Sequence, residues 1–290
     1  MLATTHKINR KNTEQRVYDS VSELIDHAMA TDEQSKRNRR QLGHGKGLEF
    51  FLDHLNFVGR TFKSVDAIQL AAGDRWGEGL ELIESMLDEV RDATLPAPKC
   101  RRRRTRFSDI DGAELDYDRL RSGQDFWRTT YREQSTGPAN LTLAVDVAAN
   151  ARITPREIIW RGIVAIVLTE VLESAGYRVE LWAYEAATKC YTDGTDDLIA
   201  ARLKSLAEPL DRSTLVNAVS GWFFRTIVFA ELSQSHDGRT LCDGYGRHRL
   251  PESDELCDVT HDPETLVVQD IWNRRDAITF IRTTLERFSK

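Results

Sequence analysis

Apolar and polar positions divide the chain into two regimes. In the N-terminal third, short patterned segments alternate with polar ones. "RVYDSVSELIDHAMA" (16–30) predicts a short strand and then a helix, with Ser20 or Ser22 able to accept from the amides of its first turn. "RTFKSVDAIQLAAG" (60–73) repeats the aromatic residue, the Ser-Val pair and the helical apolar pattern, making 17–28 and 61–72 a candidate internal repeat too short to constrain much. The Gly-punctuated "TDEQSKRNRRQLGHGKG" (31–47) predicts an exposed loop, and "LEFFLDHL" (48–55) a short amphipathic helix. In "WGEGLELIESMLDEVRDA" (76–93), Leu80, Ile83, Leu87 and Val90 form one apolar helical stripe.

From Asn140 onward the pattern changes. "LTLAVDV" (141–147) is apolar on both faces, as in a central strand covered by helices on either side. "TPREIIWRGIVAIVLTEVLESAG" (154–176) carries Thr154 as cap, Pro155 at the first helical position, Glu157 three residues after the cap and Gly176 as terminator. Its middle is apolar nearly all round, so the helix should be buried on several sides, with Gly162 permitting close approach to the sheet. "YRVELWAYEAA" (177–187) alternates as a strand and completes a βαβ unit. Helices are expected over 196–210 and 213–232, a strand over 265–272 and a closing helix over 273–288.

Between the regimes lies "LPAPKCRRRRTRF" (95–107), where two prolines favour extended chain and a basic run discourages compact packing. Asp109, Asp111, Glu114, Asp116 and Asp118 follow at once, and "DFWRTTYRE" (125–133) reads as a strand. The expected organisation is thus an α+β N-terminal region (1–94), a charged linker and strand (95–137) and an α/β domain (138–290).

Composition narrows the function classes. With 40% hydrophobic and 30% charged residues the chain reads as globular, and the apolar run from Ile158 to Leu172 is interrupted by Arg161 and Glu170. It predicts a buried helix rather than a membrane span, which needs ~18 or more apolar residues. No secretory signal pattern opens the chain, and four dispersed cysteines suit reduced thiols, so a cytoplasmic location without membrane partners is expected. A net charge of −6 argues mildly against nucleic acid as the dominant partner. The six tryptophans, at 76, 127, 160, 182, 222 and 272, read as core residues.

No nucleophile elbow, phosphate loop or dinucleotide glycine pattern is present, so no catalytic residue is assigned and an enzyme is not expected. Cys242, His248, Cys257 and His261 are ligand types for zinc, but their spacing lacks a close Cys pair and argues against it. Arg101, Arg102, Arg103, Arg104 and Arg106 beside Phe107 could grip phosphates, making a nucleic-acid-binding accessory protein one alternative. The neighbouring acids favour a solvated linker or an internal electrostatic clasp.

The strand that ends in Asp146, the long buried helix after a short loop, the "AGYRVELWAY" junction and the Thr-headed helix at 213–232 together resemble a von Willebrand factor A-like domain over roughly 138–290. The whole chain is also similar to proteins of phages, plasmids and some bacteria that place such a domain behind a small N-terminal region. The resemblance implies a Rossmann-like open, mostly parallel sheet with helices on both faces. In that family the strand end reads Asp-x-Ser-x-Ser, and its oxygens, with a Thr and an Asp from later loops, hold a divalent cation. Here the positions are Asp146, Ala148 and Asn150, with Thr214 as the match for the Thr. A degenerate Mg²⁺ site at Asp146, Asn150 and Thr214 is therefore the metal expectation, set against a structural role in which Asp146 accepts backbone N–H bonds. The function implied is a non-catalytic interaction or adaptor protein whose partner is a MoxR-like AAA ATPase or a virion or mobile-element assembly. A metal-dependent hydrolase centred on Asp146 is the other alternative.

Overall fold

The computed structural model describes residues 6–8, 11–42, 48–52, 54–91, 95, 99–136, 139–150, 152–188, 196–232 and 247–288. For 6–8, 11–12, 31, 33–42, 50, 99–104, 131–136 and 247 the backbone alone is described. Strands β1 (His6–Ile8) and β2 (Lys11–Tyr18) lead into α1 (Val21–Leu42). A 3₁₀ turn at Leu48–Phe51 precedes α2 (Leu55–Val58), α3 (Val65–Gly73) and α4 (Gly77–Val90). An arm follows, built of β3 (Lys99–Ser108), β4 (Glu114–Leu115), α5 (Tyr117–Arg121) and β5 (Trp127–Thr136). The chain then forms β6 (Asn140–Asp146), α6 (Pro155–Ser174), β7 (Arg178–Thr188), β8 (Asp196–Lys204) and α7 (Arg212–Ala218). Next, α8 (Gly221–Phe223) runs through a π-turn at Phe224–Val228 into α9 (Phe229–Leu232). Last come β9 (Arg247–His248), α10 (Ser253–Thr260), β10 (Leu266–Val268) and α11 (Arg274–Phe288).

The main sheet has the order β1-β2-β8-β7-β6-β10, with β9 beside the end of β7. Along this order β2–β8, β7–β6 and β6–β10 are parallel, while β1–β2 and β8–β7 are antiparallel. This is an α/β fold with a mixed, mostly parallel sheet. Segment 141–147 supplies an interior strand, flanked by β7 and β10, as its two-sided apolar pattern predicts. Successive residues of a strand alternate between faces. Leu143, Val145, Leu181, Ala183, Ile199 and Ala201 therefore enter one large core with the helices α1, α4, α6 and α11. Ala144, Trp182, Tyr184, Leu198 and Ala200 enter a second, smaller core closed by Leu256 and Val259 of α10. Because β2 pairs with β8, residues 11–18 belong to the same sheet as the C-terminal strands.

Several expectations are corrected. Residues 196–204 form β8, not a helix: their Leu and Ala content favours a helix locally, but pairing on both edges and burial on both faces override that propensity. The loop expected at 31–47 is helical as far as Leu42, since no Gly or Pro interrupts the chain between Val21 and Leu42. Where one amphipathic helix is expected over 48–55, Leu48–Phe51 form a 3₁₀ turn and Leu55 already begins α2. The repeat at 17–28 and 61–72 is confined to the capped helices: Ser20 Oγ accepts from Glu23 N at 3.1 Å and Ser64 Oγ from Ala67 N at 3.2 Å. No strand precedes α3, and Phe62 instead packs on Trp222, ring centroids 5.4 Å apart. The basic run at 99–106 is strand rather than linker, and Trp127 lies on the arm, outside both cores.

Helix α6 begins as predicted, with Thr154 N donating to Glu157 Oε2 at 2.7 Å. Gly162 does not face the sheet. A Cβ there would lie 2.1 Å from Val219 Cγ2, so the missing side chain lets the turn after α7 seat against α6. Gly162→Ala is expected to destabilise the protein by ~1–3 kcal/mol through overpacking, read as a lower urea midpoint at unchanged slope. Among the described residues no single helix is long and apolar enough to cross a membrane, and the apolar pair α7 and α8–α9, bent by 48°, is buried in the core.

Candidate functional site

Asp146 ends β6 at the edge where β7 and β10 also end, the place where open α/β sheets bind ligands. It is 1% exposed. Its Oδ1 accepts from Ala148 N at 2.9 Å, folding the chain into a tight turn after the strand. Its Oδ2 accepts from Arg161 Nη1 at 2.8 Å and lies 3.1 Å from His248 Nε2. Arg161 reaches in from the second turn of α6, donates through Nη2 to Ala148 O, and lies over the Trp272 ring at 4.3 Å. Burial pulls the guanidinium below its ordinary value, and the charge of Asp146 opposes that.

A second arginine locks the rest of the loop. Arg225, on the π-turn, donates to Asn150 O and Ile153 O and, through its other nitrogen, to Phe57 O. Burial lowers its pKa to about 10. Single π-turns inside helices recur at functional positions, and this one aims a cation at backbone carbonyls. Beside Asp146, β9 pairs with the end of β7, and Arg249 just beyond it makes a bidentate bond to Glu255 with an ion pair to Asp196 at 3.1 Å. Segment 247–249 thus straps the strand ends.

Glu185, on the opposite face from Asp146, is buried, and desolvation together with Asp146 and Asp197 holds its carboxyl well above the usual range. Farther along that face, Arg16 donates to Glu231 Oε1 at 2.8 Å and His27 Nδ1 lies 2.8 Å from Glu231 Oε2. Sequence reasoning singled out none of Arg16, Glu185, Arg225 or Glu231 as a site residue. Glu185, Arg225 and Glu231 share one signal, a charge inside an apolar run, which demands a buried partner, whereas Arg16 follows a polar stretch and carries no such mark.

The structure keeps the expected metal ligands apart in their bonding. Asn150 is exposed and its Oδ1 accepts from Arg152 N at 3.0 Å. Thr214 Oγ1 donates to Asp211 Oδ2 at 2.7 Å, and Ser213 Oγ to Asp211 Oδ1 at 2.7 Å, hydroxyl bonds that hold the Asp211 carboxyl below its usual range. Ala148 offers no side-chain oxygen, and a guanidinium already sits against Asp146. These residues do not fit a divalent cation, which needs several free oxygen donors at one point. Of the zinc candidates, Cys242 lies outside the described residues, His248 faces Asp146, Cys257 is a free thiol on α10, and His261 ends α10 with a positive φ of 56°. Among the described residues no group of three His, Cys, Asp or Glu side chains converges. A concavity of about 670 Å³ lies at the other end of α6 between Arg91, Glu170 and Arg212.

Comparison with known proteins adds one match. Neither a curated protein nor a solved structure matches the chain. The model of one family, described as a domain of unknown function, DUF7192, matches residues 4–290, and on that near-complete match the chain belongs to the DUF7192 family.

Proposed function

We propose that the chain is a non-catalytic interaction protein whose residues 138–290 form a degenerate von Willebrand factor A-like domain. The observation that carries this reading is the buried Asp146–Arg161 pair: a side chain of α6 supplies the positive charge that the family draws from a metal. The order of elements supports it further, with a strand ending in Asp146, helix α6, strand β7 and a later helix headed by Asp211, Ser213 and Thr214. With Arg161, Arg225 and Arg249 holding the strand ends from within, this edge acts as scaffold. Among the described residues, an exposed apolar surface that suits a protein partner is the tip of the arm, where Ile110 is 82%, Tyr117 70% and Leu120 42% exposed. A MoxR-like AAA ATPase or a virion or mobile-element component is the partner class this reading implies.

Affinity purification from the native host, comparing the wild type with Ile110→Glu/Tyr117→Glu, tests the reading alongside elemental analysis of the purified protein. The expected result is a protein partner that the tip variant loses and no stoichiometric divalent metal. Stoichiometric metal that disappears in Asp146→Asn would overturn it.

A further inference from the structure

The arm poses a physical problem of its own. Strands β3 and β5 pair over ten residues, from Lys99 opposite Thr136 to Ser108 opposite Trp127, and join no strand of the main sheet. At ~3.4 Å per residue this is a ribbon ~34 Å long. None of residues 105–130 is buried, so that part of the arm has no core of its own. Within β3 and β5 there are eight Lys or Arg (99, 101–104, 106, 128, 132) against the single acid Glu133, on a chain whose net charge is −6.

Alternation sorts these charges by face. Lys99, Arg101 and Arg103 share one face of β3, and the register sets Arg132 of β5 directly opposite Arg103. Like charges directly opposed are destabilising, and a two-stranded ribbon is marginal by itself. On the same face Thr105, Thr130, Gln134 and Thr136 add hydrogen-bonding groups and no acid. The tip differs: Glu114 accepts from Arg128 Nε at 3.0 Å, and Arg119 lies over the Phe107 ring at 4.0 Å. Arg128 and Arg119 near the tip are thus engaged internally, whereas the base of the ribbon gathers four cations on one face.

We infer that the face holding Lys99, Arg101, Arg103 and Arg132 binds the phosphate backbone of duplex DNA. Cations two residues apart recur every ~7 Å along a straight strand, a spacing that suits a polymer of regularly repeated anions. The major groove of B-DNA admits a two-stranded ribbon, while the deep, narrow groove of duplex RNA does not. Single strands are held largely by base stacking on aromatics, and the base end of this face has none. The acids at 109, 111, 116, 118 and 125 confine the contact to that base end by repelling phosphate at the tip.

Fluorescence anisotropy of a labelled 24-base-pair DNA with the full chain tests this. Three or four phosphate contacts give a salt slope of about −2.7 to −3.6, so affinity should fall ~40–150-fold between 50 and 200 mM salt. Arg101→Glu/Arg103→Glu/Arg132→Glu should weaken binding at 50 mM salt at least ~10-fold more than Arg75→Glu/Arg121→Glu/Arg282→Glu, which changes the net charge equally elsewhere. Asp109→Asn/Asp111→Asn should tighten it. If charge reversal disturbs the ribbon's circular dichroism, the milder Arg101→Gln/Arg103→Gln carries the comparison. No saturable binding at 50 mM salt, equal losses in the two triple variants, or tighter binding of single-stranded DNA or duplex RNA would each overturn the assignment.

Discussion

Arg161→Met should lower the stability of the chain by about 3–5 kcal/mol, because it leaves the Asp146 carboxylate buried without its cation. Both side chains are nearly inaccessible, 2% for Asp146 and 1% for Arg161, so solvent cannot take over the neutralisation. His248 also touches Asp146, yet it is a quarter exposed and offers one bond where Arg161 ties both Asp146 and Ala148 O. The double variant Asp146→Asn/Arg161→Met keeps an acceptor for Ala148 N while removing both charges. It should recover most of the loss, since replacing both members of a buried pair is often close to neutral. Urea unfolding of the two variants measures this. A single-variant cost below about 1 kcal/mol would mean that water or another cation reaches Asp146, and the internal-cation argument would fail.

Glu231→Ala should be comparably severe, about 3 kcal/mol or more, by stranding Arg16. Arg16 is 3% exposed and donates both to the Glu231 carboxylate and, at 2.6 Å, to its backbone carbonyl. Asp197, 3.7 Å away, softens the loss without replacing the hydrogen bond. The same variant should change the pH profile. The hydrogen bond to Glu231 holds the His27 pKa above its ordinary 6.5, with burial opposing. A raised folded-state value means that the His27 contribution is complete below pH ~6.5 and is lost as pH climbs through the folded value. Burial pushes the Glu231 carboxyl up, but the His27 bond and the Arg16 charge outweigh it and leave it below 4.5. Its contribution is therefore present above pH ~4.5 and fades as pH falls through the lower folded value. Wild-type stability should peak between these limits, and Glu231→Ala should flatten the alkaline side. An unchanged profile from pH 6 to 8 would show that His27 and Glu231 are not coupled.

Much of the scaffold was legible because it rests on local rules. The capping residues Thr154 and Glu157 with Pro155 fix where α6 starts whatever surrounds it, and Gly176, at φ 97°, lets the chain turn back toward β7. The two-sided apolar run at 141–147 could be satisfied only inside a covered sheet. The arm was legible only in part: β5 showed as a strand, but no local signal marks the arginines of 99–106 as its partner. Arginine has no strong strand preference, and the pairing gains its register from ten cross-strand contacts.

For the candidate site the division is sharper. The sequence by itself determined that Asp146 closes an interior strand, that Ala148 has no side-chain oxygen to ligate with, and that Arg161 interrupts the apolar middle of a helix. It could not say which partner Arg161 takes, because Asp146 and Arg161 meet through a loop and a helix whose relative placement is set by packing, as the contact between Gly162 and Val219 illustrates. Only the tertiary structure decided that β2 crosses from the N-terminal region into the sheet, that residues 196–204 become strand, and that Arg16 finds Glu231 across more than two hundred residues. Each of these depends on burial shared between distant segments, and burial is a property of the assembled layers rather than of any stretch of chain.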